Sequence, residues 1–316
     1  MNAGFAFQGI VIFLAAPLAA GVLRKLKAVL QNRLGAPVVQ PYRDLRKLLG
    51  KEEVVSGTAS GLFRVAPYVV FAATAGACSL VPVVLARMAT AGGAWGDLVV
   101  LVGLLALGRF ALALGALEAG SAFGGMGSSR EMMVSSLAEP ALLTALFVAA
   151  LEARTSEAGR IAAHVARTGG AAFGPGSAFA LAALFLVALA ECGRLPVDNP
   201  STHLELTMIH EAMILEYSGR SLALIEWASQ ARLLLFMTLL VDLFLPWGIA
   251  LDASAAALAL GAAVYALKIA GLCAVLAFAE TSTAKLRLFR VPDFLGAAFV
   301  LALIGLFSQG FIQWGL

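Results

Sequence analysis

The sequence predicts an all-α, polytopic membrane protein with about eight transmembrane helices and long loops. Hydrophobic residues make up 61% of the 316 residues and charged residues only 13%, and the mean hydropathy is +0.91. A soluble domain carries about 25% charged residues, so this chain has too few to cover a water-exposed surface. Eight apolar stretches also approach the length of about 20 residues that crossing a bilayer requires.

The apolar stretches give the predicted helices in chain order. The fourth and fifth are short, and the sixth is either one span or a slanted entry helix followed by a span from Arg232. The apolar start is followed rather than preceded by basic residues, so we expect a retained first span instead of a cleaved leader. We recognise no repeat and no soluble domain, so residues 1–316 are expected to form a single integral membrane domain. The predicted spans are 5–23, 65–85, 98–117, 137–151, 178–192, 222–245, 253–279 and 294–311.

The distribution of Lys and Arg predicts the orientation of the chain. Most of them lie in the loops 24–64, 119–136, 193–231 and 280–293. Because basic loops stay on the cytoplasmic side, these four loops are predicted to be cytoplasmic, with both termini on the periplasmic side of the inner membrane. The net charge is only +3, which gives no support to a nucleic-acid partner, and lipid is the expected surrounding.

Metal and cofactor sites have no sequence signature here. The three cysteines are not paired at a ligand or redox spacing, and the pair His210-Glu211 lacks the HExxH pattern of a zinc site. We therefore expect this chain to bind no metal and no cofactor of its own.

Charged residues within or beside the predicted spans are the main functional signal. Each costs about 2.5–3.5 kcal/mol at mid-bilayer, so it persists only where protein, water or a partner solvates it. Two interpretations remain open: a hydrated proton relay or structural ion pairs between helices. Arg109 and Glu118 lie about 13 Å apart along one helix, so each needs a partner elsewhere. Lys268 is the best candidate for a cation inside the bundle. These charged residues are Arg109, Glu118, Glu139, Glu191, Asp242, Lys268 and Glu280.

The predicted loops contain further candidate elements. In the fifth loop a helix from about 203 to 217, ending at Gly219, is expected to turn a polar face to partner subunits or to a water-filled funnel. In the first loop, residues from Tyr42 form a basic amphipathic helix, which either lies at the headgroup surface or docks a soluble partner. In the third loop, Ser128 or Ser129 is the expected cap of the fourth span, with Glu131 in its first turn.

Three loop sequences resemble those of one membrane-protein family. The fifth loop is similar to that of subunit 1 of complex I, the membrane subunit that contacts the peripheral arm, through its AE-x-x-R-x-P-x-D motif at 190–198 and its EYSG motif at 216–219. The first-loop run QNRLGAPVVQPYRDLRKLL and the third-loop run SREMMVSSLAEP resemble the same family. The resemblance covers nearly the whole chain.

Within this family, the chain looks most like the hydrogenase branch, the membrane subunit of group 4 nickel–iron hydrogenases, as in formate hydrogenlyase and hydrogenase-4. The complex I version usually has P-F-D and P-E-A-E. Here the corresponding segments are Pro196-Val197-Asp198 and Pro200-Ser201-Thr202-His203, which favours the hydrogenase branch over a quinone-binding role.

The resemblance implies a non-catalytic subunit of an oxidoreductase complex, which anchors a soluble arm and links electron transfer to proton movement. Iron–sulfur clusters and a nickel–iron centre are then expected in the partners: hydrogenase large and small subunits, iron–sulfur subunits and an antiporter-like membrane subunit. The implied proton relay is Glu118, Glu139, Glu191, Asp198, Glu205, Glu211, Glu216, Lys268 and Glu280. Structural or partner charges are Arg109, Arg130, Arg194 and Asp242. The expected arm-docking residues are Arg33, Arg43, Asp44, Arg46 and Lys47.

Two other functions remain open at this point. One is a quinone-site subunit of respiratory complex I. The other is a stand-alone ion transporter, for which broken helices paired between inverted halves would be the signature; we recognise no such pairing.

Overall fold

A computed structural model describes residues 3–55, 57, 59–86, 97–168, 174–198, 208–245, 247–252 and 254–314. These residues contain eleven α-helices and no strand longer than an isolated bridge. The helices are α1 Ala3–Leu30, α2 Gln40–Leu49, α3 Gly61–Ser79, α4 Leu98–Glu118, α5 Ala122–Ala153, α6 Ala158–Thr168, α7 Pro175–Glu191, α8 His210–Ile214, α9 Gly219–Phe244, α10 Ala255–Ser282 and α11 Val291–Trp314.

Seven of the described helices are long and apolar enough to cross a membrane, namely α1, α3, α4, α5, α9, α10 and α11. The shorter α7, with 17 apolar residues, extends about 26 Å at 1.5 Å per residue, close to the thickness of a hydrocarbon core. The prediction of an all-α polytopic membrane protein is confirmed, with α7 as the eighth apolar helix.

The third predicted loop is mostly helical. Helix α5 begins at Ala122 rather than at residue 137, and its cap is Ser121, whose hydroxyl accepts from the Gly124 N–H at 3.1 Å, instead of Ser128 or Ser129. The reason is packing: a Cβ at Gly127 would lie 3.0 Å from the Ile209 carbonyl oxygen, so glycine lets this end of α5 lie directly against the chain before α8.

The sixth predicted span is one continuous helix, α9, without a break at Arg232. By contrast, the helix predicted over residues 203–217 is wrong in its described part. Residues 199–207 lie outside the described residues, Met208 and Ile209 are not helical, and α8 contains only five residues. The carboxylate of Asp198 accepts from the Ile209 and His210 N–H groups at 3.2 Å each, which stabilises a separate turn at this point.

Helix α9 lies at the centre of the bundle, with every residue from 233 to 244 buried, and packs on α1 and α3. Helix α11 packs on α5 and α7, while the more exposed α10 packs mainly on α1. Helices α1, α4, α7 and α10 end on the same side of the bundle, which we call the α2 side. Loops there are joined by contacts such as Ser60 N–H to Glu118 Oε1 at 3.2 Å and Ser218 Oγ to the Val54 carbonyl at 3.1 Å.

Candidate functional site

A buried arginine joins three membrane helices. Arg109 on α4 is only 3% exposed; its Nη1 contacts Glu191 Oε1 on α7 and its Nη2 contacts Glu139 Oε1 on α5. The Ser135 hydroxyl, one turn before Glu139, also donates to Glu139 Oε1 at 2.9 Å. We call Arg109, Glu139 and Glu191 the Arg109 centre. The partners that Arg109 requires are therefore on α5 and α7.

The Arg109 centre keeps unused hydrogen-bonding capacity. Glu191 Oε2 and Arg109 Nε are buried and have no hydrogen-bond partner in the described part of the chain. Unpaired buried polar groups are costly, so water is the natural hydrogen-bond partner for both atoms. The Glu191 side chain is 1% exposed, whereas that of Glu139 is 33% exposed. One carboxylate therefore lies inside the bundle and the other reaches its surface.

A polar cavity of about 520 Å³ lies on the α2 side, where the sequence predicts a water-filled funnel. Basic and acidic side chains face each other across it, so its walls are polar enough to hold water. It is lined by Ala20, Arg24, Lys27, Cys192, Gly193, Arg194, Asp198, His210, Glu211, Glu226, Ser229 and Gln230.

Two neighbouring α8 residues in the wall have shifted pKa values in opposite directions. Burial, then repulsion by Glu226 and Asp198, raises the pKa of Glu211 to about 7 against the opposing effect of nearby arginines. Burial, followed by the positive charges of Arg232 and Arg194, lowers the pKa of His210 to about 3. At neutral pH, His210 is therefore uncharged, and Glu211 changes protonation in response to small changes in its surroundings.

The other buried carboxylates of the cavity region are paired with cations. Asp198, 2% exposed, lies 3.3 Å from Lys285 Nζ. Glu280, in the last turn of α10, lies 2.5 Å from Lys27 Nζ and 3.6 Å from Arg194 Nη1. A carboxylate is disfavoured at the C-terminal end of a helix, so these two cations offset both its burial and the helix dipole.

A small void of about 10 Å³ lies beside the polar cavity and the Arg109 centre. It shares Gly193, Asp198 and His210 with the polar cavity, and Glu191 forms part of its wall. A space of this size holds about one water molecule. Glu131 also lines the void and was not among the predicted relay residues. Glu131 lies four residues before Ser135 and eight before Glu139, which places all three on one face of α5. This spacing is the sequence signal from which Glu131 could have been predicted.

The predicted site residues fall into two groups. Seven of them lie in or around the polar cavity and the Arg109 centre: Arg109, Glu139, Glu191, Arg194, Asp198, Glu211 and Glu280. Arg130 anchors α5 nearby by donating to the Met208 carbonyl at 2.9 Å. Besides Glu131, sequence reasoning missed Arg24, Lys27 and Glu226 as parts of the cavity wall.

The remaining described relay residues are not brought to this site. Glu118 binds a backbone N–H of the α3 cap, Glu216 is exposed, and Glu205 lies outside the described residues. Lys268 donates to two backbone carbonyls at the C-terminal end of α9. Asp242, on α9 and 2% exposed, has Lys268 as its charged neighbour.

The predicted docking residues lie at the surface of the α2 side. The side chains of Arg33, Arg43, Arg46 and Lys47 are exposed, while Asp44 contacts Gln40 at 2.8 Å and Arg24 at 3.8 Å. Helix α2 buries Leu45 and presents its basic residues outward, as both an interfacial helix and a docking helix require. No group of three or more His, Cys, Asp or Glu with metal-binding geometry occurs within the described ranges.

The whole chain matches a known family. The NADH dehydrogenase family model covers residues 4–309. This chain belongs to the NADH dehydrogenase family. The resemblance inferred from the loop motifs is thereby confirmed. Because the chain belongs to this family and has long apolar helices, it is a multi-pass membrane protein.

Individual relatives within the NADH dehydrogenase family point to the hydrogenase branch. The chain is 34% identical over 304 residues to formate hydrogenlyase subunit 4 of Escherichia coli (strain K12), covering 95% of this chain and 96% of that protein. It is 32% identical over 295 residues to hydrogenase-4 component C of the same organism, covering 93% and 91%.

A solved structure shares the fold. A chain of the membrane-bound sulfane sulfur reductase, an archaeal respiratory membrane complex, matches with a TM-score of 0.80 and 19% identity over 97% of this chain and 99% of that chain. These relatives belong to multisubunit membrane complexes, which supports complex partners for this chain.

Proposed function

We propose that this chain is the membrane-anchoring subunit of a formate hydrogenlyase-like or energy-converting nickel–iron hydrogenase complex. It docks the soluble redox arm and links electron transfer to proton movement through intramembrane carboxylates. The observation that carries the proposal is the 34% identity to formate hydrogenlyase subunit 4 along 95% of the chain. The Arg109 centre and the polar cavity beside it supply the chemistry.

Docking takes place on the α2 side, which the basic loops assign to the cytoplasm of the inner membrane, with both termini on the periplasmic side. The exposed loop around Arg33, with Leu34 91% exposed, and the rim of the cavity are the contact surface for the arm. The partners are hydrogenase large and small subunits and iron–sulfur subunits, which hold the redox centres.

Coupling begins at the polar cavity. A unit charge that appears about 8 Å from Glu211 changes its energy by about 2 kcal/mol at an effective dielectric constant of 20, which is more than one pKa unit. Because the pKa of Glu211 is already about 7, a charge change in the docked arm is enough to load or release its proton. Lys268, Glu118 and Glu216 remain relay candidates away from this cavity, and Glu205, outside the described residues, remains a relay candidate as well.

Protons leave this chain through the lateral surface of the helix bundle. The Glu139 side chain is 33% exposed at the surface of the bundle. Toward the other side of the membrane, α5 continues with the fully buried apolar residues Leu142, Ala145 and Leu146, which offer a proton no polar group. Glu139 therefore hands protons to a neighbouring antiporter-like membrane subunit and not directly across the bilayer.

The test is the isolated complex reconstituted in liposomes, with hydrogen evolution and proton movement measured together. We expect Glu139→Gln to lower proton movement while assembly persists, and the exposed loop carboxylate variant Glu52→Gln to behave as wild type. Normal coupling in Glu139→Gln would contradict the relay. Quinone-analogue-sensitive activity without hydrogen would contradict the hydrogenase assignment in favour of a complex I subunit, and substrate-coupled transport by the chain alone would indicate a transporter.

A further inference from the structure

Glu131 lines the small void that lies beside both the polar cavity and the Arg109 centre. Gly193, Asp198 and His210 line the polar cavity and the small void alike. On its inner side the void reaches Glu191, and Glu131 completes its wall. A proton that passes from the cavity to Glu191 by this route therefore passes Glu131.

Charged and titratable groups from every surrounding element face Glu131. Arg232 on α9 and Arg109 on α4 supply positive charge, while Glu191 at the end of α7 and Asp198 just after it supply negative charge. His210 on α8 lies across the void. Arg109 also pairs with Glu139, and Asp198 also pairs with Lys285. Three cations then face four carboxylates, so one proton on the carboxylates leaves no excess charge.

A residue that lines the void has a carboxylate oxygen without a hydrogen-bond partner among the described residues. Glu191 is 5% exposed, lines the void and has no partner for Oε2 in the described part of the chain. The void volume of about 10 Å³ suits one water molecule, and the carboxylates provide the polar partners that a buried water requires.

We propose that Glu131 carries protons between the polar cavity and the Arg109 centre through one water molecule held in the small void. The Glu131 carboxyl gives its proton to the water while the water gives another of its protons to Glu191. Glu131 becomes a carboxylate, Glu191 becomes a carboxylic acid, the water is restored, and no electron moves. Reprotonation of Glu131 from the cavity resets the step. This inference rests on the proposed function and adds a residue that was not among the predicted relay residues.

The experiment compares Glu131→Gln, Glu131→Asp and Glu139→Gln in the whole complex in liposomes, with Glu52→Gln as the control. We expect Glu131→Gln to lower proton movement by about tenfold or more, as loss of a positioned acid–base group does. Glu131→Asp should restore a large part, because it keeps the carboxyl group one methylene shorter. A purely structural role would not separate Gln, which matches the shape of Glu, from Asp in this way.

The outcomes distinguish this inference from the proposed function. Wild-type proton movement in Glu131→Gln together with loss in Glu139→Gln overturns the role of Glu131 and leaves the function intact. Wild-type movement in both overturns the function itself. If Glu131→Gln does not assemble, high-resolution electron cryomicroscopy of the wild-type complex decides: water density between Glu131 and Glu191 supports the step, and a dry void overturns it.

Discussion

Replacing Arg109 by Met is the sharpest test of how the buried charges are held. The substitution keeps a long side chain but removes the only cation in direct contact with Glu191 among the described residues. Removing one partner of a buried ion pair costs about 3–5 kcal/mol. Glu139 also loses its ion pair, but its side chain is 33% exposed at the surface of the bundle, so this range refers to Glu191.

A double variant separates charge from shape. In Arg109→Met with Glu191→Gln no buried carboxylate has to be neutralised, so we expect about 2–3 kcal/mol of the loss to return.

Buried thiols provide the assay for these variants. Cys78 and Cys273 are free and inaccessible in the folded protein, so a thiol-reactive fluorophore reports unfolding as the detergent-solubilised protein is heated. We expect the midpoint to fall by several degrees in Arg109→Met and to recover partly in the double variant. Equal stability of Arg109→Met and wild type, or no recovery in the double variant, would refute the assignment of Arg109 as the counter-ion of Glu191.

Three further predictions follow from the contacts of the described residues. Burial and Glu226 raise the pKa of Glu211 to about 7, so the folded protein binds the Glu211 proton more tightly than the unfolded chain does. The free energy of unfolding therefore falls as pH rises from about 4.5 to about 7. Glu211→Gln should flatten this dependence in thermal unfolding measured at pH 5 and pH 8. A Cβ at Gly21 would overlap the carbonyl oxygen of Val38, so Gly21→Ala should lower the unfolding midpoint. An unchanged midpoint would show that the loop around Val38 does not pack directly on α1. Lys268→Met removes a cation from the C-terminal end of α9 and should cost about 1 kcal/mol, measured by the same thiol assay against wild type.

Several features could be read from the sequence because they depend on composition or on local spacing. Apolar stretches of span length have no stable environment except lipid, so the all-α membrane fold and most span positions were predictable. The carboxylates within these spans stood out for the same reason. The motif from Ala190 to Asp198 carried enough specific residues to indicate the family, which the full-length match confirmed.

Loop and helix boundaries were less predictable where tertiary packing decides them. The Gly- and Ser-rich start of α5 has weak helix propensity, but glycine at position 127 allows close contact with the chain before α8, and this contact extends the helix to Ala122. Conversely, the sequence pattern around His203 to Tyr217 favoured one helix, and Asp198 instead stabilises a separate turn at Ile209.

By itself, the sequence determined that the chain spans a membrane and which charged residues are candidates for burial there, because the cost of placing a charge in lipid depends on position along a span. It did not determine which charges meet. Arg109 on α4 contacts Glu139 and Glu191, which lie 30 and 82 positions further along the sequence. Glu131 and Glu191 line the same void only because residues of α5, α7 and α8 surround it. Such pairings depend on how helices from distant parts of the chain pack, and that is decided by the tertiary structure.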